Sequence, residues 1–183
     1  MIVYQIISSQ SVDKIDRPML KILSGGQTGV DRGALDAALE QGAPCGEWCP
    51  EGRLAEDGTI PDRYPVQELK AGGYRQRTLH NILGSDGTLI IYFGRPSGGT
   101  EETLYFCIKK GKPYQLIDAQ EVSPARVVAL ILGFIAEFRI ATLNVAGPRA
   151  SNEPRAHGYA FEVIGAVLRW RSGGMGCIQN DMV

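Results

Sequence analysis

The sequence has almost no net charge and no long hydrophobic run. Its 19 Lys and Arg residues are balanced by 20 Asp and Glu residues, which leaves a formal net charge of −1. Non-specific nucleic-acid binding needs a basic surface, so this balance argues against nucleic acid as a partner. The longest apolar run, residues 127–136, is too short to cross a membrane, and the N-terminus carries no export signal. We therefore expect a cytoplasmic protein with no membrane partner.

Cysteine and histidine are scarce. The four cysteines are Cys45, Cys49, Cys107 and Cys177, and only the first two lie close together in the sequence. No second pair completes a zinc site, and neither of the two histidines has a partner at metal-ligand spacing. The sequence thus predicts no metal site and reduced thiols, with a disulfide between Cys45 and Cys49 as the less favoured alternative.

Glycine and arginine, by contrast, are plentiful. The 23 glycines make up about 13% of the chain, against an average of about 7%. We expect many of them to serve special backbone conformations. The chain also has 13 Arg and only 6 Lys. Arginine suits bidentate recognition of phosphate and carboxylate, although a genome-wide arginine bias explains the excess equally well.

Strand-like and helix-like segments alternate along the chain. Residues 43–66, rich in glycine and proline, are expected to form a long ordered loop or a series of turns, and Ser123 is a candidate helix cap. The predicted strands are residues 2–7, 21–24, 88–93, 114–117 and 141–146, and the predicted helices are residues 33–41, 74–83, 100–110, 124–139 and 153–171. This alternation predicts an α/β fold, a three-layer sandwich with a mainly parallel sheet.

Three loops that follow predicted strands share one composition. Residues 24–32, 94–102 and 147–155 each carry glycine, a hydroxyl residue and arginine, and each leads into a helix. Glycine lets the backbone approach an anion, and the following helix offers unpaired N–H groups. The spacing matches neither the Walker A loop nor the GxGxxG fingerprint. We therefore predict an anion-binding site at the carboxyl edge of the sheet.

Several single residues allow two interpretations. Asp31 either caps the first helix or contacts the ligand. Glu101 and Glu102 open a helix, where acids are favoured in any case, but one of them could act as a general acid or hold a ribose. Cys49 is interpreted as a packed loop residue rather than a metal ligand or reactive thiol.

Four blocks of the sequence resemble the molybdenum-cofactor carrier family. They are residues 24–36 (SGGQTGVDRGALD), 46–61 with the motifs GEWCP and GRLAEDGTIP, 98–100 (GGT) and 146–151 (AGPRAS). This family belongs to the SLOG group, which also contains the Lonely Guy phosphoribohydrolases. The resemblance implies a Rossmann-like domain over residues 19–171, with residues 1–18 as an extension and residues 172–183 as a tail.

The resemblance also implies a ligand, partners and a set of binding residues. The ligand is the molybdenum cofactor, held through its phosphorylated pterin, or another small anionic, nucleotide-like molecule. The expected partners are a molybdoenzyme recipient and further copies of the chain, in a dimer or tetramer. The binding residues carried over by motif are Gly25, Gly26, Gln27, Thr28, Gly29, Arg32, Gly98, Gly99, Thr100, Gly147, Arg149 and Ser151.

The favoured hypothesis is a carrier, which needs no catalytic residue. One alternative is a phosphoribohydrolase that resembles Lonely Guy and cleaves a nucleoside monophosphate. Glu102 is then the acid, and Arg75 or Arg77 is its partner. Residues 96–102 lack the glycine that precedes Thr in the related PGGxGT motif, so the position of the acid is open. A nucleotide-sensing module is the other alternative.

Overall fold

A computed structural model describes residues 19–173, which contain a six-stranded, all-parallel sheet. The sheet strands are β1 (Lys21–Leu23), β2 (Cys45–Pro50), β5 (Val66–Leu69), β6 (Gly87–Tyr92), β7 (Tyr114–Asp118) and β8 (Thr142–Ala146). The two short strands β3 (Leu54–Ala55) and β4 (Gly58–Thr59) pair as an antiparallel hairpin. The helices are α1 (Val30–Glu40), α2 (Tyr74–Leu83), α3 (Gly99–Lys110), α4 (Pro124–Glu137) and α5 (Ala156–Arg171).

Successive strands are added on one side of β1 first and on its other side afterwards, so the order of the strands reverses at the centre of the sheet. The order is β5-β2-β1-β8-β6-β7. The chain first builds outward from β1 through β2 to β5, then places β6 and β7 on the other side. Strand β8 finally inserts between β1 and β6. In open parallel sheets, the crevice outside the carboxyl ends of the strands at such a reversal is the usual place for a ligand.

Strand β6 illustrates how the sheet separates two helical layers. It pairs on both sides, and its residues from Gly87 to Ile91 are buried. Alternate side chains of a strand point to opposite faces. Leu89 and Ile91 accordingly join the core cluster that contains α1, α4 and α5 residues, whereas Ile90 packs with residues of α2 and α3. The predicted three-layer α/β sandwich is confirmed.

Gly33 sets the distance between α1 and α5. A Cβ atom on Gly33 would lie 2.4 Å from the backbone oxygen of His157, a separation that real Cβ atoms essentially never show. The absence of a side chain therefore allows the two helices to pack backbone against backbone. This contact places the start of α1 beside the loop that precedes α5.

The prediction of a long ordered loop or a series of turns at residues 43–66 is wrong for residues 45–50. Strand β2 lies inside this segment and pairs with both β1 and β5. Gly46 in β2 has a φ of 134°, and a Cβ there would lie 2.2 Å from the oxygen of Pro65. The lack of a side chain at Gly46 thus allows the close contact between β2 and Pro65, and this glycine does not mark a turn. Strand β5 was not predicted either.

Smaller differences concern the helix ends and the thiols. Ser123 occupies the N-cap position of α4, but its side chain makes no capping hydrogen bond, and α5 begins at Ala156 rather than at residue 153. Cys45 and Cys49 are free thiols. Both lie in β2, where four residues span about 13 Å, well beyond the reach of a disulfide.

Some predictions concern residues outside the range 19–173. The predicted strand at residues 2–7 lies outside the described residues, as does most of the predicted tail. Among residues 19–173, the helices are all too short or too polar to cross a membrane.

Candidate functional site

A polar cleft lies at the point where the strand order reverses. The three glycine-containing loops follow β1, β8 and β6, which are adjacent in the parallel sheet, so the loops meet at one edge. The cleft has a volume of about 250 Å³. It is lined by Gln27, Asp31, Tyr74, Arg77, Thr78, Ser97, Gly98, Gly99, Thr100, Glu102, Thr103, Ala146, Gly147, Pro148, Arg149, Ser151 and Asn152. Helix α2 thus supplies one wall in addition to the three loops.

Gly29 joins the first loop to the third. Its φ is 74°, and a Cβ there would lie 2.3 Å from the oxygen of Pro148. The next residue, Val30, donates its backbone N–H to the same oxygen at 3.1 Å. Ser24 adds a buried hydrogen bond from its hydroxyl to the oxygen of Val145 at 2.7 Å. The two loops therefore form one continuous wall.

The second loop presents the start of α3 to the cleft. Gly98 is the N-cap residue with a φ of 54°, and no side chain caps the helix. A Cβ on Gly98 or Gly99 would meet nothing within 4 Å, so the backbone here is open to a ligand. The helix dipole favours an anion at this position, although the backbone N–H groups of Thr100 and Glu101 already donate to the Ser97 oxygen at 3.1 and 3.5 Å. Glu102 in the same turn pairs with Arg75 at 3.4 Å.

Asp31 and Arg77 form a buried pair beside the first loop. Their closest N–O distance is 3.4 Å, and both side chains are largely buried. Asp31 also accepts a hydrogen bond from the backbone N–H of Gln27 at 3.3 Å. Burial raises the pKa of the Asp31 carboxyl, although the charge of Arg77 and the hydrogen bonds from the loop oppose the shift. Asp31 therefore orders the first loop, whereas Gly29 is the cap residue of α1.

Glu56 is part of this region and was not predicted. It lies between β3 and β4, and its carboxylate accepts hydrogen bonds from both Thr28 and Ser151. The closest contact to Arg149 is 3.8 Å. Partial burial raises the pKa of Glu56, but these hydrogen bonds and the Arg149 charge outweigh it, so the net pKa is lowered. In the sequence, the one feature that points to Glu56 is its place in the block at residues 52–61 that resembles the carrier family.

The predicted binding residues fall into two groups. Those on the cleft wall are Gln27, Gly98, Gly99, Thr100, Gly147, Arg149 and Ser151. The others do not line the cleft themselves but lie beside it in the first loop and the first turn of α1; they are Gly25, Gly26, Thr28, Gly29 and Arg32. Arg32, for example, donates to the oxygen of Gly26 at 3.1 Å and to Asp57 at 2.8 Å. A Cβ on Gly25 would lie 1.9 Å from Nη1 of Arg77, so this glycine makes room for the guanidinium.

The two histidines and Cys49 do not line the cleft. His157 contacts Asp36 at 2.9 Å, and His80 stands edge-on to Trp48. Cys49 is buried in strand β2, where burial raises the pKa of its thiol. Within residues 19–173, no three His, Cys, Asp or Glu side chains are grouped to hold a metal ion.

The parallel sheet and the glycine-containing loops at its central reversal define a Rossmann-like α/β protein. More specifically, the chain belongs to the circularly permutated YpsA SLOG family, whose model matches residues 22–168. The resemblance to SLOG proteins inferred from the motifs is thereby confirmed.

A solved structure agrees with this placement. The chain is similar to the crystal structure of a putative molybdenum carrier protein from Syntrophus aciditrophicus SB, with a TM-score of 0.80 and 41% identity. The match covers 82% of this chain and 96% of that chain. No curated protein matches the sequence.

Proposed function

We propose that this protein binds the molybdenum cofactor through its phosphorylated pterin, or binds a similar anionic, nucleotide-like molecule, and hands it on unchanged. The similarity to a protein named as a molybdenum carrier supports the cargo. The binding site is the cleft at the reversal of the strand order. In this role the protein holds its ligand by hydrogen bonds and charge and needs no catalytic residue.

The observation that carries this proposal is the polar cleft itself, whose wall combines the uncapped start of α3 with the partly exposed guanidinium of Arg149. Gln27 Nε2 and Arg77 Nε belong to cleft-lining residues, and neither atom has a hydrogen-bond partner within the described part of the chain. The orientation of the Gln27 amide is fixed, because its oxygen accepts two backbone N–H groups, from Thr28 at 3.0 Å and Glu56 at 2.9 Å. Both nitrogen atoms have almost no solvent-accessible surface, so a ligand would pair with them only after a small movement of these side chains.

The cleft wall offers two positions for a phosphate and one for a planar ring. The uncapped start of α3 and the guanidinium of Arg149 favour a phosphate. Tyr74 is 43% exposed, and the guanidinium of Arg149 lies 6.0 Å from its ring. The partly exposed Tyr74 ring offers a stacking surface for a planar heterocycle such as a pterin.

Purification without oxygen from a host that makes the cofactor tests the proposal. Mass spectrometry and metal analysis are expected to find a pterin phosphate with near-stoichiometric molybdenum. The Arg149→Ala variant, purified in the same way, is expected to carry less of both. A nucleotide without molybdenum, or an empty protein, would contradict the proposed cargo.

The pairing of Glu102 with Arg75 favours a second candidate, a phosphoribohydrolase. Glu102 lines the cleft, and Arg75 holds its carboxylate at 3.4 Å, where a carboxylate would stabilise the positive charge that develops on a ribose. If the protein is an enzyme, Glu102→Gln abolishes release of base from nucleoside monophosphates and leaves their affinity nearly unchanged. Chromatography of the reaction mixture measures the released base. If neither the wild type nor Glu102→Gln releases base, this candidate is rejected.

Partner chains are also part of the proposal. Large apolar side chains are exposed on one helical layer at Tyr105 and Ile108 of α3, and on the other at Leu130 of α4 and at Phe138 directly after it. Exposed apolar surface of this kind favours self-association, so we propose a homo-oligomer that delivers its cargo to a molybdoenzyme. Light scattering on the purified protein measures the oligomeric state, and a monomer at micromolar concentration would contradict the first part.

A further inference from the structure

The carboxylate of Glu56 sits where an anionic ligand would be expected. The groups that bind it are the Thr28 hydroxyl, the Ser151 hydroxyl, the Ser151 backbone N–H at 3.1 Å and the Arg149 guanidinium at 3.8 Å. We call this set the oxyanion cradle. It combines two hydroxyl donors, a backbone donor and a positive charge, which is the usual chemistry of phosphate binding. Ser151 and Arg149 also line the cleft.

We propose that Glu56 is an internal stand-in for the oxyanion of the ligand. In this inference its carboxylate fills the oxyanion cradle in the empty protein and must leave when a phosphate binds there. The inference rests on the proposed function only in requiring that a phosphorylated ligand binds in the cleft. Glu56 would then set the affinity of the site and favour ligands that offer enough binding energy to displace it.

The hydrogen-bond count explains why Glu56 and a phosphate compete. A hydroxyl has one proton to donate. The Thr28 oxygen accepts the backbone N–H of Ala150 at 3.1 Å, which leaves its proton for Glu56. The Ser151 hydroxyl likewise donates to Glu56. Neither proton is left for a phosphate oxygen, and two negative charges in one cradle would also repel each other.

Displacement of Glu56 needs only a side-chain movement. Its backbone N–H is held by Gln27 at 2.9 Å, and the neighbouring Asp57 is held by Arg32 at 2.8 Å. The main chain of the β3–β4 hairpin can therefore stay in place while the carboxylate rotates out. The lowered pKa of Glu56 is consistent with this assignment, because the group remains charged and hydrogen-bonded at neutral pH.

Calorimetric binding of inorganic phosphate and of AMP to Glu56→Gln tests the inference. Loss of the competing charge is expected to raise the affinity of both probes at least tenfold over the wild type, since a charged hydrogen bond is worth about that factor. The matched control is Asp62→Asn. It removes the same charge from the same segment, and the Asp62 side chain is fully exposed and does not touch the cradle. Its affinities are expected to equal those of the wild type.

Two further variants test where the gain in phosphate affinity arises and keep the inference testable if Glu56→Gln folds poorly. Adding Ser151→Ala to Glu56→Gln removes a cradle donor and is expected to cancel the gain. Glu56→Asp keeps the charge but withdraws it from the cradle, and is expected to give an intermediate affinity even if Glu56→Gln folds poorly. Equal or weaker phosphate binding by folded Glu56→Gln overturns the inference, as does a gain that survives Ser151→Ala.

The phosphate measurement is separate from the question of cargo. A gain in phosphate affinity without pterin in the protein purified without oxygen supports the role of Glu56 and contradicts the proposed cargo. Bound pterin without a gain in Glu56→Gln contradicts the role of Glu56 alone.

Discussion

Arg77 and Arg149, the two guanidinium groups on the cleft wall, are in different electrostatic states. Arg77 is 13% exposed, and its charge is balanced by Asp31 at 3.4 Å. Arg149 is 42% exposed, and its nearest carboxylate, Glu56, is 3.8 Å away. A phosphate therefore gains more from Arg149, whereas Arg77 serves mainly to hold the first loop in place.

This difference predicts the effect of Arg149→Ala on ligand binding. Loss of the guanidinium is expected to weaken the binding of a nucleoside monophosphate by about 1.5 kcal/mol, roughly tenfold. We choose the lower end of the range for charged hydrogen bonds because the side chain is partly solvated. Calorimetry measures the change, with Arg126→Ala on α4 as an exposed control. Unchanged affinity would remove Arg149 from the site.

At the scale of single residues, the sequence predicted the binding residues in the loops but not Glu56, which these residues contact. Thr28, Arg149 and Ser151 were predicted because each lies in a glycine-containing loop whose motif resembles that of the carrier family. Glu56 was not predicted, because it lies 95 residues from Ser151 and in a different supersecondary element. A local pattern carries no information on such a contact, which only the folded chain creates.

At the scale of elements, the sequence predicts best where burial and local preference agree. Helix α2 runs from Tyr74 to Leu83 as predicted, and β6 was recognised from its apolar, β-branched run. Strand β2 was missed because Gly46, Glu47 and Pro50 are poor strand formers. Pairing with β1 and β5 overrides these preferences.

The contact between α1 and α5 gives a stability prediction. Gly33→Ala places a methyl group 2.4 Å from a backbone oxygen of His157, so the helices must separate. Overpacking of this kind costs about 1–3 kcal/mol. The free energy of unfolding in urea is expected to fall by this amount.

Gly133→Ala is the matched control for this prediction. Gly133 lies in α4, and a Cβ there meets nothing within 4 Å. The substitution is expected to stabilise the protein by about 0.5–1 kcal/mol, because alanine is the better helix former. Equal effects at the two positions would mean that helix preference, rather than close packing, decides the stability at Gly33.

At the scale of the whole molecule, the site depends on the strand order. The alternation of strands and helices predicts a parallel sheet, and a parallel sheet predicts loops at one edge. It does not predict that β8 inserts between β1 and β6, which brings the three loops together. That placement depends on packing between distant segments, and the sequence pattern is silent on it.

The same strand order predicts how a ligand stabilises the domain. The cleft is built from loops on both sides of the strand reversal, so a ligand there is linked to unfolding of the whole sheet. At about 100 times its dissociation constant it adds about 2.7 kcal/mol, or roughly 5–10 °C for a domain of this size. Arg149→Ala at the same ligand concentration is expected to show about half this shift. Differential scanning calorimetry measures both, and a ligand that shifts only one of two separate transitions would show that the cleft is not coupled to the whole sheet.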